Sequence, residues 1–138
     1  MAKVICDIDG TLSDCSSRVH LYGQWGKFHS MAPHDPVIPQ IRHLVDVLAG
    51  EQHDILLWTG RPEIYREATL GWLDKHHCHF DELRMRPNDN LDSDVALKYQ
   101  WLQELGEQPL FAIDDRDSVV KMFRDNGVIC LQPAEGKY

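Results

Sequence analysis

The sequence predicts a three-layer α/β/α sandwich on a Rossmann-like parallel sheet of about five strands. Two observations carry this. Short apolar runs recur along the 138 residues, at Val4–Ile8 (interrupted only by Asp7), Ile55–Trp58, Leu110–Ile113 and Val128–Leu131. Stretches with helical spacing lie between them. Near-continuous apolar runs mark strands buried on both faces, and intervening helices impose parallel pairing through crossovers. The length suits one domain with one core, so residues 1–138 are read as a single domain.

In order, Val4-Ile5-Cys6-Asp7-Ile8 is the first strand, and Asp9-Gly10 after it is a turn signal. Residues 11–36 show no clean periodicity and are read as an insertion, a flap or small cap. Ile38, Ile41, Leu44, Val45 and Leu48 mark one helix face, ended near Gly50. Ile55–Trp58 is the second strand. Pro62, a residue favoured at the first helical position, opens a helix to about His76. Phe80–Met85 holds a short third strand, Asp94–Leu105 a helix stopped by Gly106, Leu110–Ile113 a strand, Asp117–Asp125 a helix and Val128–Leu131 the last strand.

The formal net charge is −8, which argues against a broad clamp on a phosphate backbone, though not against local contact with a nucleic-acid end. No apolar run approaches the length of about 20 residues that a membrane helix needs. The N-terminus reaches Asp7 too soon for a signal peptide, so the expected location is the cytoplasm. Cys6, Cys15, Cys78 and Cys130 form no C-x-x-C pair and read as buried free thiols. His76-His77-Cys78-His79 lacks a second half-site and reads as a solvated helix end.

The chemistry lies at strand ends. Asp7 and Asp9, two apart on an extended segment, share a face. Asp114-Asp115 ends a later strand, and open α/β sheets bind ligands outside the carboxyl ends of their strands. Four carboxylates brought together call for a hard cation, Mg²⁺ or a similar ion. Thr59-Gly60-Arg61 precedes the helix at Pro62 and combines a hydroxyl, a close backbone approach, a bidentate fork and a helix N-terminus, which together describe a phosphate site. Asp94 and Lys98 are four apart on one helix, so Asp94 can orient Lys98. Each piece has a plainer meaning by itself: a turn, a helix cap, a solvated arginine, a surface ion pair.

Together and in this order, Asp7-x-Asp9-Gly10-Thr11, Thr59-Gly60-Arg61, Lys98 and Asp114-Asp115 resemble the four motifs of the haloacid dehalogenase superfamily. A narrower likeness runs from Lys3 to Tyr138. Ala112–Arg116, Val119-Val120, Met122, Arg124, Gly127-Val128, Cys130, Gln132, Ala134 and Gly136 are similar to the 3′-phosphatase domain of phage-type polynucleotide kinase/phosphatases. Arg18, eleven residues beyond Asp7, and Asp94, four before Lys98, fall at matching positions.

The resemblance implies a Mg²⁺-dependent phosphomonoesterase removing 3′-phosphates from DNA or RNA ends through an aspartyl-phosphate. Asp7 would be the nucleophile, Asp9 the acid and base, and Lys98 a third catalytic group. Thr59, Gly60, Arg61, Arg18, Asp94 and Arg116 would bind substrate, and Asp7, Asp9, Asp114 and Asp115 the metal, with the Asp9 carbonyl favoured over that of Ile8. No G-x-x-x-x-G-K-[ST] loop is present, so a free-standing phosphatase with a minimal cap is expected, any kinase or ligase being a separate partner. A stable sequence-specific nucleic-acid complex is not expected. Residues 15–34 hold Arg18, Lys27, His20, His29 and His34 among Tyr22, Trp25 and Phe28, without an acid. This basic, aromatic stretch suits single-stranded nucleic acid, or packs the flap. The alternatives are a 5′-nucleotidase or small-molecule phosphatase on the same scaffold, and a non-catalytic end-binding or kinase-partner module.

Overall fold

The computed structural model describes residues 1–138. β1 (Lys3–Cys6), β2 (Asp54–Pro62), β3 (Glu82–Arg86), β4 (Phe111–Ile113) and β5 (Cys130–Leu131) form one sheet in the order β3-β2-β1-β4-β5. Every pairing is parallel, with Val4 opposite Ile55 on one side and Phe111 on the other. The expected architecture is therefore present.

The strands bury alternate residues on two faces, as the period of two dictates. Val4, Cys6, Ile55 and Leu57 face one core. That core is closed by α2 (Pro39–Gly50) and α3 (Arg66–Lys75), with Val45, Trp72 and Leu73 at its centre. Ile5, Leu56, Trp58 and Ala112 face the other. There α4 (Asp94–Leu105) and α5 (Asp117–Asp125) supply Leu97, Trp101, Val120 and Phe123. Ser93 caps α4, its hydroxyl accepting the Ala96 N–H at 3.2 Å, and Gly106 ends it in the left-handed conformation at φ +68°. No helix is long and apolar enough to cross a membrane.

The chain runs β1, β2, β3 outward, then returns to place β4 on the free side of β1. Strand order reverses there, and a crevice opens at the carboxyl ends. Residues 11–36 add two 3₁₀ segments (Ser16–Leu21, Ala32–His34) around the short α1 (Trp25–Ser30). They follow β1 directly.

Two boundaries near the site are corrected. α3 starts at Arg66, not Pro62: β2 continues through Thr59-Gly60-Arg61 to Pro62, which pairs with Arg86 across an irregularity in the ladder. Glu63–Tyr65 then form a 3₁₀ turn. Pro62 has φ −63°, which suits a helix, but ψ 151°, which keeps it extended. The free N–H groups of α3 are thus displaced from Thr59-Gly60-Arg61. The third strand is Glu82–Arg86 rather than Phe80–Met85.

Candidate active site

Asp7 and Asp114 sit one residue beyond β1 and β4, on adjacent strands. Ladder bonds fix both: the Asp7 N–H donates to Ile113 O at 3.0 Å and the Asp114 N–H to Leu131 O at 3.2 Å. Lys98 reaches up from α4 between them, its Nζ donating to Asp7 Oδ1 at 2.9 Å and Asp114 Oδ2 at 2.8 Å. The Lys98 side chain is 2% exposed. Burial opposes its charge, but Asp114 and Asp7 more than offset this and hold its pKa above the ordinary lysine value. Asp94, expected from the sequence to orient Lys98, makes no hydrogen bond to it. Asp94 is instead held by Arg86 Nη2 at 2.5 Å and Arg116 Nη1 at 3.0 Å.

Asp115 completes an acidic group. Single oxygens of Asp7, Asp114 and Asp115 all lie within 4.8 Å of one another. The Thr11 hydroxyl lies 3.5 Å from Asp7 Oδ2 and 3.3 Å from Asp115 Oδ1. Gly10 is required here: its φ is +83°, and a Cβ would stand 2.2 Å from Asp115 Oδ2. Burial, then the charge of Asp114, pushes the Asp7 pKa up despite Lys98. Burial does the same to Asp115, although its hydrogen bond from Tyr138 pulls the other way.

One lysine against three buried carboxylates leaves uncompensated negative charge, the condition a divalent cation relieves. The backbone agrees. The Ile8 carbonyl is saturated by the N–H groups of Thr11, Leu12 and Ser13 at 3.1, 2.9 and 2.9 Å, whereas that of Asp9 accepts no hydrogen bond from the chain. The Asp9 carbonyl is the one left with lone pairs to offer.

Asp9 is held differently. Arg61 Nε and Nη2 donate to its two oxygens at 3.0 and 2.6 Å, and Arg18 Nη2 adds a bond of 2.7 Å. Burial pushes this carboxyl up, but Arg61 and Arg18 outweigh burial and hold it well below the usual carboxylate range. Arg18 also closes on Asp35 at 2.9 and 2.5 Å and donates to Phe28 O at 2.7 Å, with its guanidinium 4.1 Å over the Phe28 ring. From the sequence, both arginines are expected to face a phosphate. In this structure they are 1% and 2% exposed and committed to carboxylates. Thr59 is buried too, its hydroxyl accepting the Arg61 N–H at 3.2 Å. A Cβ on Gly60 would fall 2.5 Å from Asp94 Oδ1, so the glycine makes room for Asp94.

A cleft of about 470 Å³ opens above these groups. Asp7, Asp9, Gly60, Asp94, Lys98, Asp114, Asp115 and Arg116 line it; Arg18, Thr59 and Arg61 lie beneath its surface. Tyr22, Trp25, Phe28, His29 and Tyr138 give it an aromatic wall, with Trp25 48% exposed. The loop after β3 supplies Asn88, Asn90 and Leu91, the last 97% exposed. Of the cations in residues 15–34, Arg18 is spent on Asp35 and Asp9, burial lowers the His29 pKa to about 4, and Lys27 stays exposed. Toward the cleft the stretch presents an aromatic wall.

Three residues escaped sequence reasoning. Arg86 ends β3, donates to Gly60 O at 2.9 Å and holds Asp94. Its place at a strand's carboxyl end was a usable signal. Asp35 and Tyr138 carry none, because only folding brings them to Arg18 and Asp115.

The depressed His29 pKa makes stability depend on pH. The unfolded imidazole takes a proton below its ordinary value of 6.5, while the folded one resists until about 4. The contribution of His29 to stability is therefore full above pH 6.5 and falls as pH drops through that window. Urea midpoints should fall from pH 7 to pH 5, and fall less in His29→Asn; equal falls would remove His29 as the cause.

The family model described as "Polynucleotide kinase PNKP phosphatase domain" matches residues 1–138. Among solved structures, a chain of the Pnkp1/Rnl/Hen1 RNA repair complex is similar at 28% identity and a TM-score of 0.86, covering 99% of this chain and 43% of that one. A second structure of a Pnkp1/Rnl/Hen1 complex has a similar chain at 29% identity and a TM-score of 0.84, with 99% and 47% covered. The chain thus spans less than half the length of these two. A D,D-heptose 1,7-bisphosphate phosphatase from B. bronchiseptica, complexed with magnesium and phosphate, shares the fold at 15% identity and a TM-score of 0.65, with 96% and 80% covered. No curated protein matches the sequence.

Proposed function

Since the chain belongs to the polynucleotide kinase phosphatase-domain family, a haloacid dehalogenase-type phosphatase fold, we propose that it is a Mg²⁺-dependent 3′-phosphatase of DNA or RNA ends. The observation that carries the reading is the pairing of Asp7 and Asp114 across Lys98, with Asp9 clamped beside them at the floor of an open aromatic cleft.

Asp7 is the nucleophile. Its Oδ attacks phosphorus as the bond to the leaving ribose oxygen breaks, forming an aspartyl-phosphate. Lys98 neutralises Asp7 and stays beside the developing negative charge. Asp9 gives a proton to the leaving oxygen, then takes one from the water that hydrolyses the acyl phosphate. Arg18 and Arg61 keep Asp9 ionised at rest. The negative charge of a phosphate arriving beside Asp9 raises its pKa, so the carboxylate takes up a proton from solvent before it acts as the acid. Arg116, held by Asp94 at the cleft surface, meets the substrate directly. Asp7, Asp114, Asp115 and the Asp9 carbonyl would hold Mg²⁺. The cation supplies positive charge that offsets repulsion between Asp7 and the phosphate.

Residues 11–36 form a minimal cap that leaves the cleft open, which suits a polymer end. Trp25 offers a face for a nucleobase. Trp25→Ala should raise KM about tenfold for a 3′-phosphorylated oligonucleotide and leave KM for a small aryl phosphate unchanged. Equal effects would make Trp25 a packing residue. A separate kinase or ligase partner fits the RNA repair complexes that hold similar chains.

Parallel phosphate-release assays with Mg²⁺ test the function, on 3′-phosphorylated oligonucleotide, 5′-phosphorylated oligonucleotide and mononucleotides. Preference for the first is expected. Preference for mononucleotides would support a nucleotidase, and end binding without any phosphate release would support a binding module.

A further inference from the structure

We propose that Tyr138 is a positioning residue for the acidic turn: its hydroxyl fixes Asp115 for the divalent cation and its ring fixes Arg116 over the cleft. This rests on the divalent-cation reading above.

Three observations support it. The first is a strap. The segment after β5 is tied back onto the turn that follows β4. Gln132 Nε2 donates to Asp115 O at 2.9 Å and Asp117 Oδ1 at 2.6 Å. The Asp117 N–H donates to Gly136 O at 2.7 Å, and the Gly136 N–H to Asp117 Oδ1 at 3.1 Å. A Cβ on Gly136 would fall 2.2 Å from Asp115 O, so glycine is what lets the strap lie flat.

The second is what the strap delivers. The Tyr138 hydroxyl donates to Asp115 Oδ2. The Thr11 hydroxyl engages the other oxygen, Oδ1. Asp115 is thus held at both oxygens, which stops the carboxylate rotating, while each oxygen keeps a lone pair. Gly10 makes this possible as well: a Cβ there would stand 2.9 Å from the Tyr138 hydroxyl oxygen. Outer partners of this kind set the orientation of metal ligands.

The third is the ring. The Arg116 guanidinium carbon lies 4.7 Å from the Tyr138 ring centroid, within reach of a cation–π contact. The ring in turn packs on Tyr22 at 4.8 Å. Arg116 is therefore held by Asp94 at one side and by an aromatic face at another. Tyr138 touches neither phosphorus nor nucleophile; it acts through Asp115 and Arg116.

The test is calorimetric titration of Mg²⁺ into wild type, Tyr138→Phe and Tyr138→Leu without substrate, with KM for 3′-phosphorylated oligonucleotide measured separately at saturating Mg²⁺. Tyr138→Phe keeps the ring and loses the hydrogen bond, so its Mg²⁺ affinity should fall about tenfold with KM unchanged. Tyr138→Leu loses both contacts, so its affinity should fall equally and its KM should also rise. Thermal melts of the metal-free proteins check that each variant is folded. Wild-type Mg²⁺ affinity in Tyr138→Phe, or a gain, would overturn the hydroxyl's role, and an unchanged KM in Tyr138→Leu that of the ring. Absence of Mg²⁺ binding by wild type would overturn the cation reading itself.

Discussion

Asp7→Asn lowers kcat by about 10⁴-fold or more, because the amide cannot form the aspartyl-phosphate and no other carboxylate stands in its place. Asp114 and Asp115 are near, but ladder bonds and the strap hold them on the metal side of the site. The fold survives. Asparagine is close in shape to aspartate, and Lys98 keeps Asp114 at 2.8 Å. The substitution also removes one of three crowded negative charges. Burial and Asp114 both make the charge of Asp7 costly, as its raised pKa records. The variant should therefore melt, in EDTA, at or above the wild-type temperature. Residual turnover above a few per cent would remove Asp7 as the nucleophile. A large fall in melting temperature would make its charge structural.

Asp35→Ala destabilises the protein by about 3–5 kcal/mol, the cost of stripping one partner from a buried ion pair. Arg18 is 1% exposed and Asp35 lies as deep, joined by bonds of 2.9 and 2.5 Å. Without Asp35, Arg18 keeps only Asp9 and Phe28 O. Its charge then falls wholly on Asp9, which becomes harder to protonate. Activity should drop although Asp35 does not line the cleft. The Trp72 indole still donates to the Asp35 carbonyl, since that bond uses backbone. Urea unfolding gives the stability and phosphate release the activity. A loss of less than about 1 kcal/mol would show that water replaces the pair.

The acids were legible in sequence because each stands directly after a strand. Asp7, Asp9, Asp114 and Asp115 stand at the ends of apolar runs, and parallel topology sends every such end to one edge of the sheet. Arg86 was missed because the third strand was ended at Met85, one residue early, so it was never counted as a strand end. The helix start was misplaced because Pro62 suits both a helix N-terminus and an extended residue, and the ladder with β3 favoured the second.

Local pattern therefore settled the order of strands and helices and the identity of the carboxylates, since burial period and turn chemistry act over a few residues. Charge partners were settled by the fold. Arg18 takes Asp9 and Asp35, Arg61 takes Asp9, Lys98 takes Asp7 and Asp114, and Asp94 takes Arg86 and Arg116. A charged side chain in a chain of net charge −8 has many possible counterions within reach of its sequence neighbours. Burial makes the choice, because an unpaired charge is tolerated in water and not beneath a closed surface.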